Sequence, residues 1–277
     1  MPVTDLATLA QTKSWLTNAP ASADDALLGA LITSASGSIL SYLQRQPPGI
    51  VQSFTDTFDG YGERKKMLRR WPVISVSSLT IGGTTVTASL TTPGSGYNCG
   101  YVLAPWDGML PGRPQMLELR GWHYCSGSLN VVIGYKAGYQ AQAEAQTVPA
   151  GGGTVTPNQY NGPWSQDGGV TYAVGGAALT KVTGVPATGQ YSISAAGVYT
   201  FAAGDQNLGV LVTYSYVPSP LNQACMELVG EAYRYRPRQG QRSHTTPGPQ
   251  TTAFDLTRLT PAIKLMIDPY RAVVPIM

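Results

Sequence analysis

Apolar residues recur with the period of an α-helix only near the two ends of this 277-residue chain, and with the period of a β-strand through most of what lies between. A period that changes twice restricts the fold to helices at both termini around a β-rich middle. Near the start, "TLAQTKSWL" puts Leu9 and Leu16 on one face, and Thr8 with Gln11 reads as a capping box. The next helix is longer. Leu27, Leu28, Leu31, Ile32, Ala35, Ile39, Tyr42 and Leu43 repeat at helical spacing until "QPPG" at 46–49 stops it. Ser22 with Asp25 reads as a second capping box, with Asp24 and Asp25 at the positive end of the helix dipole.

Toward the other end, "PSPLNQACMELVGEAYRYRP" returns to helix. Ser219 is the expected cap, and Pro220 takes the first helical position, where its missing N–H does no harm. Leu221, Ala224, Cys225, Leu228, Val229, Ala232 and Tyr233 form its stripe, and Pro237 ends it. A last short helix, "TPAIKLMID", is expected to stop at Asp268, because the residue before a proline is biased away from helix. The apolar tail "YRAVVPIM" would then be released outward.

The middle is written in short strands. "VISVSSLTI" at 73–81 alternates with period two, "GG" turns the chain, and "TTVTA" returns as a hairpin. Further strands fall at 116–119 and 129–135, with a proline-rich loop between 104 and 115. Residues 140–153 read as a linker, with Gly151 to Gly153 as its flexible end. Then "VTYAV", "ALTKV", "QYSIS", "VYTFA" and "GVLVTYSYV" follow at regular intervals. The expected fold class is therefore α+β. A small bundle of N- and C-terminal helices with a β-rich middle (1–150 and 218–277) carries an inserted β-sandwich-like or barrel-like module at 151–217.

Chemistry is sparse. No P-loop, G-x-S-x-G, H-E-x-x-H or G-x-G-x-x-G occurs, and the two histidines, His123 and His244, belong to no recognisable pairing. His123 lies two residues before Cys125, a spacing that neighbouring positions of a strand or hairpin explain without catalysis. Asp56 and Asp59 in "TDTFDGYG" lack the further carboxylates of a cation loop and read as turn residues. Three widely spaced cysteines form neither a metal nor a disulfide pattern. The expectation is no enzyme, no cofactor and no metal. No basic region followed by an apolar stretch opens the chain, and no run of about 18 consecutive apolar residues occurs. The expectation is accordingly a protein made in the cytoplasm without a membrane partner.

Charged residues make up 12% of the chain, about half the ~25% of ordinary soluble proteins. A surface so poor in charge suits a protein packed against neighbours, where lone charges are costly to desolvate. What basic charge there is clusters. "ERKKMLRRWP" holds Lys65, Lys66, Arg69 and Arg70, and "YRYRPRQGQR" holds Arg234, Arg236, Arg238 and Arg242. Such clusters can contact nucleic-acid phosphates, or serve as a solvated face or as subunit salt bridges, the simpler explanation.

The order of these pieces resembles the head–tail connector (adaptor, or head-completion) proteins of long-tailed bacteriophages. The residues that carry the resemblance are "DDALLGALITSASGSILSYLQR", "TFDGYG", "RRWPVISVSSLTI", "LNVVIGYKAGY" and the helix ending "YRYR". It covers about 1–150 and 218–277. In that family the last helix follows the "AGY" within a few residues, whereas here some seventy intervene. The strand "LGVLVTYSYVP" at 208–218 ends as "LNVVIGYKAGY" ends, as an insertion should if it returns the chain to the helix.

The resemblance implies a structural virion protein made in a host bacterium. It would form a ring beneath the portal, with twelvefold symmetry and a lumen that continues the DNA channel. Its partners would be copies of itself, the portal, the tail or next neck protein, and packaged DNA bound without sequence specificity. Portal docking would fall to the C-terminal Tyr270, Arg271, Val273, Val274 and Ile276. Lys65, Lys66, Arg69, Arg70, Arg234 and Arg236 would face DNA or neighbouring subunits. Two rival readings are a tail-completion or stopper protein of the neck, and a glycan- or receptor-binding β module with Trp164 and tyrosines as its exposed platform.

Overall fold

A computed structural model describes residues 4–16, 22–89, 99–104, 115–150, 153–236, 243–245, 251–253 and 259–272. The fold is α+β, with N- and C-terminal helices flanking a β-rich middle of several sheets. Contacts divide it into a helical unit, built on Met1–Pro47, Asn161–Pro163 and Val217–Arg271, and a β unit, built on Pro48–Tyr160 and Trp164–Tyr216.

In the helical unit, α1 (Leu9–Trp15) opens with the expected capping box: Thr8 Oγ1 accepts from Gln11 N at 3.1 Å, and Gln11 Oε1 accepts from Thr8 N at 2.9 Å. The second box does not form. Ser22–Asp24 make a 3-10 turn instead, and α2 (Asp25–Leu43) starts without a side-chain cap. The Asp24 carboxylate is engaged elsewhere, by Tyr233 Oη at 2.9 Å and Arg236 at 3.4 Å. Leu28, Ile32, Ser36, Ile39 and Leu43 form the buried stripe of α2. That stripe packs on α3 (Ser219–Tyr235), whose N-cap is Pro218 and not Ser219.

Two buried polar side chains of this unit, Ser36 and Asn222, are paired, as their desolvation requires. Ser36 Oγ accepts from Leu6 N at 2.9 Å, and Asn222 Nδ2 donates to Leu6 O at 2.8 Å. By length and mean hydropathy, 1.5, the helix Ser22–Leu43 could cross a membrane, the one such helix among the described residues. Serines and threonines interrupt it, so it contains no long run of consecutive apolar residues. A two-stranded ribbon, Ser243–Thr245 with Thr251–Ala253, precedes α4 (Pro261–Ile267), which Thr260 caps by accepting from Ile263 N at 3.3 Å.

The β unit begins with β1 (Gln52–Gly60), β2 (Lys65–Met67), β3 (Val73–Ile81), β4 (Thr84–Thr85), β5 (Gly100–Ala104), β6 (Met116–Arg120) and β7 (Gly127–Ala137). One sheet runs β1-β7-β3-β4 and a smaller one β2-β6-β5. Leu79, Ile81, Leu117, Tyr124, Val131, Ile133 and Tyr135 share one core. The register pairs Phe54 with Tyr135 and Tyr135 with Val76, so the period-two alternation directs these side chains inward.

Residues 140–153, expected to be a linker, contain β8 (Gln140–Thr147). Gly138 separates it from β7: at φ 148°, and with Ile50 O only 2.7 Å from where a Cβ would stand, no other residue fits there. After β9 (Thr154–Val155) come β10 (Trp164–Tyr172), β11 (Thr180–Lys181), β12 (Gln190–Ile193), β13 (Tyr199–Phe201) and β14 (Gly209–Tyr216). They form the sheets β10-β14-β8 and β11-β12-β13-β9 over a second core of Val148, Val170, Tyr191, Tyr199, Val210, Val212 and Tyr214. β8 has alanine and glutamine in place of β-branched residues, so propensity hides it, and its pairing with β14 creates it. Gly153 is no flexible end either, since its carbonyl accepts from Phe201 N at 2.6 Å.

Candidate functional site

The C-terminal segment was expected to leave the helix at Asp268. It does not. Asp268 stays in the right-handed helical region, at φ −54° and ψ −39°, and Asp268–Tyr270 continue α4 as a 3-10 turn. The bias of a pre-proline residue is outweighed by the bonds that this turn makes. Tyr42 Oη donates to Asp268 Oδ1 at 2.7 Å, which raises the Tyr42 phenol. Arg45 Nη1 donates to Tyr270 O at 3.1 Å, and the Arg271 guanidinium lies 5.5 Å from the centre of the Tyr42 ring. Tyr270 is 4% exposed and belongs to the helical unit's interior, so it is not a free docking side chain. Arg271 is exposed, and Val273, Val274 and Ile276 lie outside the described residues.

Tyr42 and Arg45 were not among the expected site residues, yet they anchor the root of the segment. Their signal was present in the "YLQR" at 42–45, which closes a helix and belongs to the resemblance but was given no contact to make. The other motif end behaves alike, since Tyr233 and Arg236 of "YRYR" both reach Asp24 at the start of α2.

The basic residues of the 63–72 run are held on the β unit by partners within the chain. Arg70 Nη1 donates to Asp56 Oδ1 at 3.0 Å, and its guanidinium lies 4.4 Å from the centre of the Phe54 ring. Lys66 Nζ donates to Asp59 O at 2.7 Å and to Glu63, and lies 5.7 Å from the Phe58 ring centre. Arg69 stacks on Phe58 at 5.0 Å, and Lys65 pairs with Glu118 at 3.4 Å. Lys65, Lys66 and Arg70 thus each meet a carboxylate of their own chain. Arg234 and Arg236 sit on the last turn of α3, favourable to the helix dipole. Arg238 and Arg242 lie outside the described residues.

Asp56 and Asp59 are in β1, not in a turn. Asp56 is 5% exposed and also accepts from Tyr135 Oη, whose phenol is raised by burial and by that bond. Asp59 accepts from Leu129 N and Ser128 Oγ, and the backbone bond from Leu129 holds its carboxyl below the usual value. His123 Nε2 and Cys125 Sγ are 3.9 Å apart on an exposed loop, with Tyr124 buried between them. Cys225 is buried against Ser36, and burial pushes its thiol up to about 11. Among the described residues, no group of three or more His, Cys, Asp or Glu could hold a metal ion.

Trp164 is no platform. Its Nε1 donates to Tyr199 Oη at 3.4 Å, and its ring fills the space where a Cβ on Gly197 would stand. It packs on the second β core.

No protein-family model matches this chain, and no curated protein matches it. Among solved structures, a chain of the neck of a native gene transfer agent particle, computed with C12 symmetry, aligns over 99% of this chain and 92% of its own, at 14% identity and a TM-score of 0.39. A chain of the native particle's virion aligns over 99% and 93%, at 14% and 0.40. A chain of the empty particle's neck, computed with C6 symmetry, aligns over 99% and 92%, at 15% and 0.35. Scores at this level do not establish a shared fold.

Proposed function

We propose that this chain is a structural, non-catalytic virion protein of the neck. In this reading it forms a ring beneath the portal, connects the head to the tail and continues the DNA channel. The observation that carries the reading is how the quoted motifs meet. "YLQR" holds "DPYR" through Tyr42–Asp268 and Arg45–Tyr270, and "YRYR" holds "DD" through Tyr233–Asp24 and Arg236–Asp24. Elements recognised in sequence by their order alone thus interlock as one helical unit. They also fix the point from which the C-terminal segment departs.

In this reading Arg271 and the residues after it dock on the portal, copies of the chain surround the lumen twelvefold, and the tail or next neck protein binds the other side. DNA passes without sequence specificity, past whatever cationic groups the subunits leave uncompensated. The residues between Tyr139 and Tyr216 form an insertion into a core made by the rest. The test is genetic and structural together. A phage lacking this protein should yield DNA-filled heads without tails, and supplying the protein should restore tailed particles. Tailed, infectious particles formed in its absence would contradict the reading.

A further inference from the structure

Leu129 stands at φ 49°, a left-handed conformation that leucine rarely adopts, and its side chain is 67% exposed. A strained backbone and an apolar side chain in water both count against the folded state. The strain comes from a bulge. Between the pairs Phe58–Val131 and Gly60–Gly127, β7 sets Ser128, Leu129 and Asn130 opposite Asp59 alone. One oxygen of the Asp59 carboxylate accepts from Leu129 N at 2.5 Å and Ser128 Oγ at 3.3 Å, and the other accepts from Tyr61 Oη at 3.3 Å. Asn130 fixes the bulge from both neighbours: its Oδ1 accepts from Gly60 N at 2.9 Å, and its carbonyl accepts from Gly82 N at 2.8 Å.

Tyr61, 70% exposed, is thus placed beside Leu129 by a carboxylate that both residues share. From Tyr61 the same corner continues through cation–ring contacts. Lys66 Nζ lies 5.3 Å from the centre of the Tyr61 ring and 5.7 Å from that of Phe58, and the Arg69 guanidinium lies 5.0 Å from that of Phe58. The carboxylates here are all engaged. Glu63 accepts from Lys66 and from Tyr61 N, Asp56 from Arg70 and Tyr135, and Glu118 pairs with Lys65. Arg64 and Arg69 are exposed, and among the described residues neither side chain meets a carboxylate. The corner therefore offers two fixed apolar side chains and cations that its own acids leave over.

We infer that this corner binds an acidic segment of the next neck protein, with an apolar side chain against Leu129 and Tyr61 and a carboxylate on Arg69. The inference rests on the neck reading, in which the C-terminal segment takes the portal and leaves the β unit to another partner. Unmatched arginines select carboxylates by charge complementarity. The strained leucine selects protein over DNA, because an aliphatic side chain offers phosphates nothing to bond. Tyrosine and arginine are the residues on which such interfaces most often depend. Since the bulge holds Leu129 and Tyr61 in place before anything binds, little ordering cost remains.

The test uses the full chain assembled on its portal, titrated with the purified next neck protein of the same particle. Leu129→Gly removes the exposed side chain and suits the left-handed backbone, so its thermal midpoint should hold or rise. Its affinity for the neck protein should nevertheless fall at least about tenfold. Arg69→Gln should weaken binding about tenfold at low salt and less at high salt. If both variants bind the neck protein as the wild type does, the inference fails and the proposed function stands, whatever Arg69→Gln does to binding of a DNA duplex. A Leu129→Gly variant that loses stability without losing affinity makes the leucine structural and overturns the inference. If the variants weaken only association of the chain with itself, the occupant is a second copy and the inference is likewise overturned. If the wild type binds neither portal nor neck protein, both readings fail.

Discussion

Tyr216 donates its backbone N–H to the carbonyl of Tyr139 at 3.1 Å, and the two rings meet edge to face at 5.9 Å. These tyrosines close the two strand endings that read so alike in sequence. The chain enters the second pair of sheets at one and leaves it beside the same point at the other, as a domain inserted into a host should. Replacing 140–215 with Asn-Gly would leave Tyr139 and Tyr216 flanking a two-residue hairpin turn. We expect that variant to keep its helical circular dichroism and to unfold cooperatively. Loss of both would mean that the module is part of the core.

Asp56 is the hub under the basic run, bonded to Arg70 and Tyr135. Asp56→Ala strands both partners. It should cost about 2–3 kcal/mol, less than for a fully buried pair because Arg70 is 40% exposed. Arg70→Met should lower the urea midpoint and leave the salt dependence of non-specific DNA binding unchanged. A shallower salt slope with undiminished stability would make Arg70 a phosphate contact.

Alkali should unfold the β unit. Burial raises Tyr124, Tyr135, Tyr191, Tyr199 and Tyr214 above their ordinary value of 10.0, and bonds to carboxylates add to this in Tyr135, Tyr191 and Tyr214. A raised phenol contributes its full stability below pH 10.0, where both states hold the proton. Above that the unfolded chain ionises first, so stability falls with rising pH until the native phenols titrate. Urea midpoints measured on either side should drop only on the alkaline side, together with the appearance of phenolate absorbance. A midpoint that stays flat through that range would mean these tyrosines are not held neutral by the fold.

The helices and most strands were legible because their apolar period is local information. Thr8 with Gln11, the stripe of α2 and the alternation of β3 needed no partner to be seen. Three features were not legible. β8 is a strand only because β14 pairs with it. The Ser22–Asp25 box does not form, and the Asp25 carboxylate pairs instead with Lys13 of α1. Tyr270 was read as free because Pro269 precedes it, while the bonds that hold its turn come from Tyr42 and Arg45. Each failure is a tertiary bond overriding a local preference.

The C-terminal segment can be cut at two places with opposite results. Removing 270–277 takes Tyr270 out of the interior and should destabilise the helical unit by about 3 kcal/mol, the usual range for losing a buried aromatic side chain. Removing 272–277 keeps Tyr270 and Arg271 and should leave thermal stability nearly unchanged, while portal binding falls sharply because many weak tails act together. A 272–277 truncation that binds portal with undiminished affinity would show that the anchor lies elsewhere.

The central claim is a ring on the portal, and electron microscopy of the purified protein mixed with its portal tests it most directly. We expect a closed layer of this chain on one face of the portal, with a copy number equal to the portal's and an open lumen. A portal that stays bare at micromolar concentrations, or one decorated by isolated copies that never close, would contradict it.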